Sequence, residues 1–162
     1  MEYFLTWSPL IFMGGLGLIV GSHLNVIILR HGFSERPTTR SACASCLTTL
    51  GALELIPLFS YLALRGRCRS CGSAFSLQYP LVEVATGILF LLAYGLFPPT
   101  ITVLGLAQFT ALLAFLVATV LIAVYDLRHT LVPSSFVSIL VGSALAHSVL
   151  SAVIVSNWSV LT

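Results

Sequence analysis

The fold class the sequence predicts is an all-α membrane protein: about four transmembrane helices, with a small cytoplasmic four-cysteine insertion between helices one and two. Three observations lead there. Only 7% of the 162 residues are charged while 58% are hydrophobic, and the mean hydropathy is +1.06. A soluble domain carries about 25% charged residues, so the solvent for most of this surface is lipid. Four apolar runs come near the roughly 20 residues that cross a bilayer. All seven basic residues are arginines, and six of them (Arg30, Arg36, Arg40, Arg65, Arg67 and Arg69) fall between the first two runs, together with every cysteine.

The first run covers residues 10–29 and is glycine-rich, with Gly17 and Gly21 in the G-x-x-x-G spacing that lets two helix backbones approach closely. Met1-Glu2-Tyr3-Phe4 lacks the positive stretch that opens a secretory signal, so this run is expected to stay as a membrane anchor. The second run, residues 81–97, is entered through Pro80 and closed by Pro98-Pro99. That pair cannot continue a helix and joins the second run to the third, residues 101–125, as an antiparallel hairpin. The fourth covers residues 136–155. In domain terms the expected division is 1–30, a first transmembrane helix, 31–79, a cytoplasmic cysteine loop, and 80–162, a bundle of about three further spans.

Orientation follows from charge. The arginine-bearing loop is placed in the cytoplasm, as is the short segment after the third run that carries Arg128. The N-terminus, the Pro98-Pro99 turn and the tail with Trp158 then lie outside. The basic residues form no face interleaved with aromatics, which excludes a nucleic-acid footprint.

Cys43-Ala44-Ser45-Cys46 and Cys68-Arg69-Ser70-Cys71 are separated by 21 residues, a spacing that reads as a zinc site. Each C-x2-C turn can aim two thiolates at one ion, and two turns complete a closed tetrahedral S4 shell. Zinc held by Cys43, Cys46, Cys68 and Cys71 would be structural, because no position is left for a substrate. Gly72 suits the tight turn of a knuckle, and Arg65, Arg67 and Arg69 offset the negative charge. Two disulfides, four free buried thiols without metal, or redox dithiols are the alternatives, and a cytoplasmic location argues against stable disulfides. The apolar stretch around Leu55, Ile56, Phe59 and Leu62 is expected to pack on the inner membrane face or on the helix ends.

Ionisable groups at membrane depth are costly and mark functional candidates. Asp126 closes the third run and is either a charged boundary residue or a catalytic carboxylate. Glu83, one turn into the second run, is either an acid favoured by a helix N-terminus or a second acid. His23 and Asn25 are read as interhelical hydrogen-bonding groups, His147 as a satisfied interior residue, and His129 as a group able to tune Asp126 if that turn is helical.

Several of these residues fall in a recognisable pattern. Gly21-Ser22-His23-Leu24-Asn25-Val26 followed by Arg30, the paired C-x2-C turns, Ile56-Pro57-Leu58-Phe59-Ser60-Tyr61-Leu62, Tyr79-Pro80-Leu81-Val82-Glu83 with Thr86-Gly87, and Asp126-Leu127 with Pro133 together resemble the bacterial type IV prepilin peptidases. The resemblance runs from about Gly14 to Pro133. It implies a membrane aspartic endopeptidase that cuts the basic leader of a prepilin or pseudopilin at the cytoplasmic face of the bacterial inner membrane. It also implies N-methylation of the new terminus, with S-adenosylmethionine as methyl donor. Asp126 would be the first of two catalytic carboxylates.

The sequence departs from the family pattern in several places. Ser134 stands where an aspartate normally follows the proline, Glu54 where aspartate is usual, and His23 where an aromatic is usual. The family's second carboxylate lies in a G-x-G-D motif, and none occurs here. The expected explanations are a chain that is the N-terminal portion of a longer enzyme, a partner that supplies the acid, or substitution by Glu83. The alternative function is a non-catalytic membrane zinc module that binds pilin-like helices or a secretion-system partner.

Overall fold

The computed structural model describes the backbone of residues 2–31 and 41–159 and the side chains of residues 7–31 and 41–156. Its elements in order are α1 (Glu2–Arg30), a 3-10 turn (Ala52–Leu55), α2 (Phe59–Ala63), α3 (Gln78–Leu96), α4 (Val103–His129) and α5 (Ser134–Ser159). Among the described residues four helices are long and apolar enough to cross a membrane: Trp7–Arg30, Gln78–Leu96, Val103–His129 and Ser134–Ser156. They match the four apolar runs, each helix being longer than its run at one end or both.

The extensions have local causes. α1 continues through Pro9 toward Glu2. α3 begins two residues before Pro80, which therefore sits in the first turn, where its missing N–H leaves no bond unmade. α4 begins at a Thr102 cap whose side-chain oxygen accepts from the Gly105 N–H at 3.0 Å. It ends on Thr130 in the left-handed region, φ 55°, so Asp126 lies inside its last turn. α5 continues through Ser159, into the expected tail. The side chain of Trp158, with Arg36 and Arg40, lies outside the described residues.

α1 packs chiefly on α3 and α4 chiefly on α5, while the Pro98-Pro99 link joins the two pairs and α3 touches α4 less extensively. The α1–α3 seam is the G-x-x-x-G face. A Cβ added at Gly17 would stand 2.7 Å from the Gly87 Cα, and one at Gly21 would stand 2.8 Å from the Glu83 Cα. The two pairs meet at the arginine-bearing end in a cluster of Leu24, Ile28, Val82, Val120, Leu121, Tyr125 and Phe136. Elsewhere large apolar side chains point outward: Ile11, Phe12, Leu92, Leu145 and Val149 are all exposed. Among the described side chains of α5 only Phe136 is buried, as expected where lipid is the solvent.

Candidate metal centre and the helix ends beside it

The insertion between α1 and α3 is built from two copies of one turn, 25 residues apart (43 to 68). Ala42 bridges Thr49 in the first and Arg67 bridges Ala74 in the second. The Cys43 N–H donates to the Thr48 carbonyl at 3.0 Å, and the Cys68 N–H to Ser73 at 2.8 Å. The N–H four residues on returns to each cysteine's carbonyl, Leu47 to Cys43 at 3.0 Å and Gly72 to Cys68 at 2.9 Å. Reversing the chain this tightly requires a positive φ, which Gly72 supplies at 70° and Leu47 adopts at 58°. Leu47 carries a cost there that glycine does not.

The four sulfurs face one another. Cys43 Sγ is 3.8 Å from Cys71 Sγ and Cys46 Sγ is 3.9 Å from Cys68 Sγ, and all four ligand atoms lie within 4.8 Å of one another. A metal–sulfur distance near 2.3 Å in a tetrahedron places sulfurs about 3.8 Å apart, so the cluster can hold a metal ion. A disulfide would need about 2.05 Å, and all four cysteines are free.

A serine hydroxyl supports the thiolate form. Ser73 Oγ is 3.1 Å from Cys71 Sγ and 3.4 Å from Cys43 Sγ; at Thr48, its counterpart in the first turn, the Cys46 thiol is instead the donor, to Thr48 Oγ1 at 3.3 Å. Ser73's hydroxyl, then the backbone N–H groups of Cys46 and Ser45, bring the Cys43 thiol from an ordinary 9.0 down to about 5. Cys71 is lowered in the same direction, again chiefly by Ser73. Metal ligation needs deprotonated sulfur, so both shifts favour it. Arg65, Arg67 and Arg69 are exposed on the segment that carries Cys68.

Between the insertion and the helix ends lies a cavity of about 620 Å³, with Arg30, Glu54, Tyr61, Phe75, Glu83 and Arg128 among its walls. Glu83 is buried, and its carboxylate accepts the Leu58 N–H at 2.6 Å. Leu58 has a left-handed φ of 59°, so Glu83 fastens a strained turn of the insertion to α3. As the sixth residue of α3 it stands past the first turn, where the helix dipole acts. Sequence reasoning missed this role, and the only signal for it is an acid placed too deep for a cap.

Asn25 is an interhelical group, as expected. It is 1% exposed; its Nδ2 donates to the Gly21 carbonyl at 3.3 Å and the Tyr79 carbonyl at 3.2 Å, and its Oδ1 accepts from Gln78 Nε2 at 3.2 Å. Gln78 Oε1 in turn accepts from Arg128 Nε. The end of α4 that carries Asp126 therefore meets the same end of the bundle as the insertion. His23, by contrast, is exposed. His147 Nδ1 pairs with the Gln108 carbonyl at 3.2 Å, and because a carbonyl only accepts, that nitrogen carries the proton.

Asp126 itself is exposed, between buried Tyr125 and exposed Leu127. Tyr125 anchors it in a ring cluster: His129 at 4.4 Å, Phe136 at 5.3 Å and His31 at 5.6 Å between centroids. The turn holding Asp126 and His129 is helical, and the His129 ring packs on Tyr125.

The family described as the bacterial peptidase A24 N-terminal domain matches residues 16–97. The chain is 42% identical over 141 residues to a prepilin leader peptidase/N-methyltransferase of Myxococcus xanthus, covering 84% of this chain and 40% of that protein. It is 37% identical over 140 residues to a type 4 prepilin-like proteins leader peptide-processing enzyme of Escherichia coli, covering 74% and 49%. A prepilin leader peptidase/N-methyltransferase of Pectobacterium carotovorum is 39% identical over 144 residues, covering 75% and 49%. The chain thus spans about half the length of the curated relatives it matches. No solved structure matches it.

Proposed function

This chain belongs to the bacterial A24 peptidases, whose N-terminal domain it carries, and we propose that it acts as the leader-processing half of a prepilin peptidase in the bacterial inner membrane. The observation that carries this reading is the shared end of the bundle, where Arg128, two residues past Asp126, bonds to the first residue of α3 and the cysteine insertion sits between α1 and α3. The clustering of arginines at that end supports a cytoplasmic location for it, with the N-terminus outside.

An aspartic protease needs two carboxylates about one water, one ionised to act as base and one protonated to donate to the scissile carbonyl. Asp126 is one of them. Because the chain spans about half the length of its relatives, the second acid is assigned to the remainder of such an enzyme or to a partner chain, with Glu83 bonded to the Leu58 N–H. The substrate is a prepilin or pseudopilin whose basic leader lies at the membrane surface. Cys43, Cys46, Cys68 and Cys71 hold a structural zinc, which when bound staples an insertion too small to fold on a core of its own. S-adenosylmethionine is the methyl donor for the second activity.

Leader cleavage by membranes bearing the full gene product tests this reading. Asp126→Asn abolishes cleavage while zinc content stays unchanged. Full cleavage by that variant contradicts the assignment. Absence of cleavage by the native protein, with zinc retained, points instead to a binding module for pilin-like helices.

A further inference from the structure

Asn25, Gln78 and Arg128 belong to three different helices, and one unbroken run of side-chain hydrogen bonds joins them. Asn25 is buried on α1, and each of its amide atoms is used: Nδ2 on the Gly21 and Tyr79 carbonyls, Oδ1 on Gln78. A buried amide whose nitrogen and oxygen are both bonded has one orientation, so the Nε2 side of Gln78 is fixed. The Oε1 of Gln78 is thereby turned to the other side, where Arg128 donates to it. We propose that Gln78 is a positioning residue: it ties the Asp126-bearing end of α4 to the α1–α3 pair, and Asn25 holds it in register. This role presupposes the catalytic reading of Asp126 given above.

The seam gives the tie its importance. α1 packs mainly on α3 and α4 mainly on α5, so the two pairs meet over a limited apolar cluster at this end. Apolar contacts between lipid-solvated helices are weakly directional and leave sliding and rotation poorly specified. A hydrogen bond from a guanidinium fixes direction as well as distance. Arg128 follows Asp126 by two residues on a rigid helical turn, so the carboxylate moves with the guanidinium. A carboxylate displaced by about 1 Å can lose on the order of 100-fold in rate. Removing the tie should therefore lower kcat and leave KM nearly unchanged, because the substrate surface itself is untouched.

The test uses the full gene product with its cysteines intact and two readouts. Spin labels on noncanonical side chains at Ile19 of α1 and Leu127 of α4, both exposed, report the distance between the pairs. Leader cleavage reports kcat and KM. Gln78→Leu should broaden the distance distribution and cut kcat on the order of 100-fold with KM held within about threefold. Arg128→Met should do the same, and the double variant should be no worse than either single. An unchanged distribution in Gln78→Leu, or losses that multiply in the double variant, overturns the role. If Asp126→Asn cleaves normally, the catalytic reading fails, and the distance measurement still decides whether Gln78 sets the seam.

Discussion

Replacing Gly17 by alanine puts a methyl carbon 2.7 Å from both the Gly87 Cα and the Thr86 carbonyl oxygen, and 3.0 Å from the Phe90 Cβ. Ordinary carbon contacts lie at about 3.5–4.0 Å, so α1 and α3 must separate by roughly 1 Å along their most extensive seam. The two closest atoms are backbone and cannot swing aside. Overpacking of this kind costs about 1–3 kcal/mol, against which alanine's helix preference returns at most about 1 kcal/mol. Gly17→Ala should therefore leave the protein less stable than Gly15→Ala by about 1–3 kcal/mol, the overpacking cost once the shared propensity gain cancels. Gly15→Ala is the control, since nothing lies within 4 Å of its added Cβ and only the propensity gain remains. Reversible unfolding in mixed detergent micelles measures both. Equal stability of the two variants would refute the close approach and the α1–α3 pairing built on it.

Three further outcomes are expected. Leu47→Gly relieves a left-handed φ of 58° and should tighten metal binding about fivefold in a chelator competition, the equivalent of about 1 kcal/mol after glycine's own entropy is subtracted; Leu47→Ala should change nothing. In the metal-free insertion Cys43 titrates near 5 rather than 9.0. The stability it contributes is therefore fully present above about pH 9, falls as the pH drops, and is gone below about pH 5. Ser73→Ala should raise that titration, read by thiol alkylation rate against pH. Glu83→Leu strands the Leu58 N–H and should cost the docked insertion about 1–3 kcal/mol. The readout is faster amide exchange at Leu58, with α1 and α4 amides unchanged.

Much of this was legible because lipid imposes a length and a charge rule that a sequence displays directly. The four runs, the Gly17/Gly21 face and the paired C-x2-C turns each map onto a named element. Hydropathy carries no information about partners, however, so the division into an α1–α3 pair and an α4–α5 pair had no signature beyond the glycines. The Glu83–Leu58 and Asn25–Gln78–Arg128 contacts span 25 to 53 positions and depend on tertiary placement. His23 reads as an interhelical group because it is polar and lies late in the first apolar run, yet a shift of one or two residues on a helix is enough to turn it outward. Leu47 could be foreseen only by aligning the two turns with each other, since its glycine counterpart, Gly72, marks the conformation.

The most direct test is the membrane face on which two segments lie. Paired reporters active only in the cytoplasm or only outside it, fused after Gly72 in the insertion and after Thr130 past Asp126, should both report the cytoplasm. A third fusion at Pro99 should report the outside. Opposite faces for the Gly72 and Thr130 fusions would separate the metal knot from Asp126 and contradict the account.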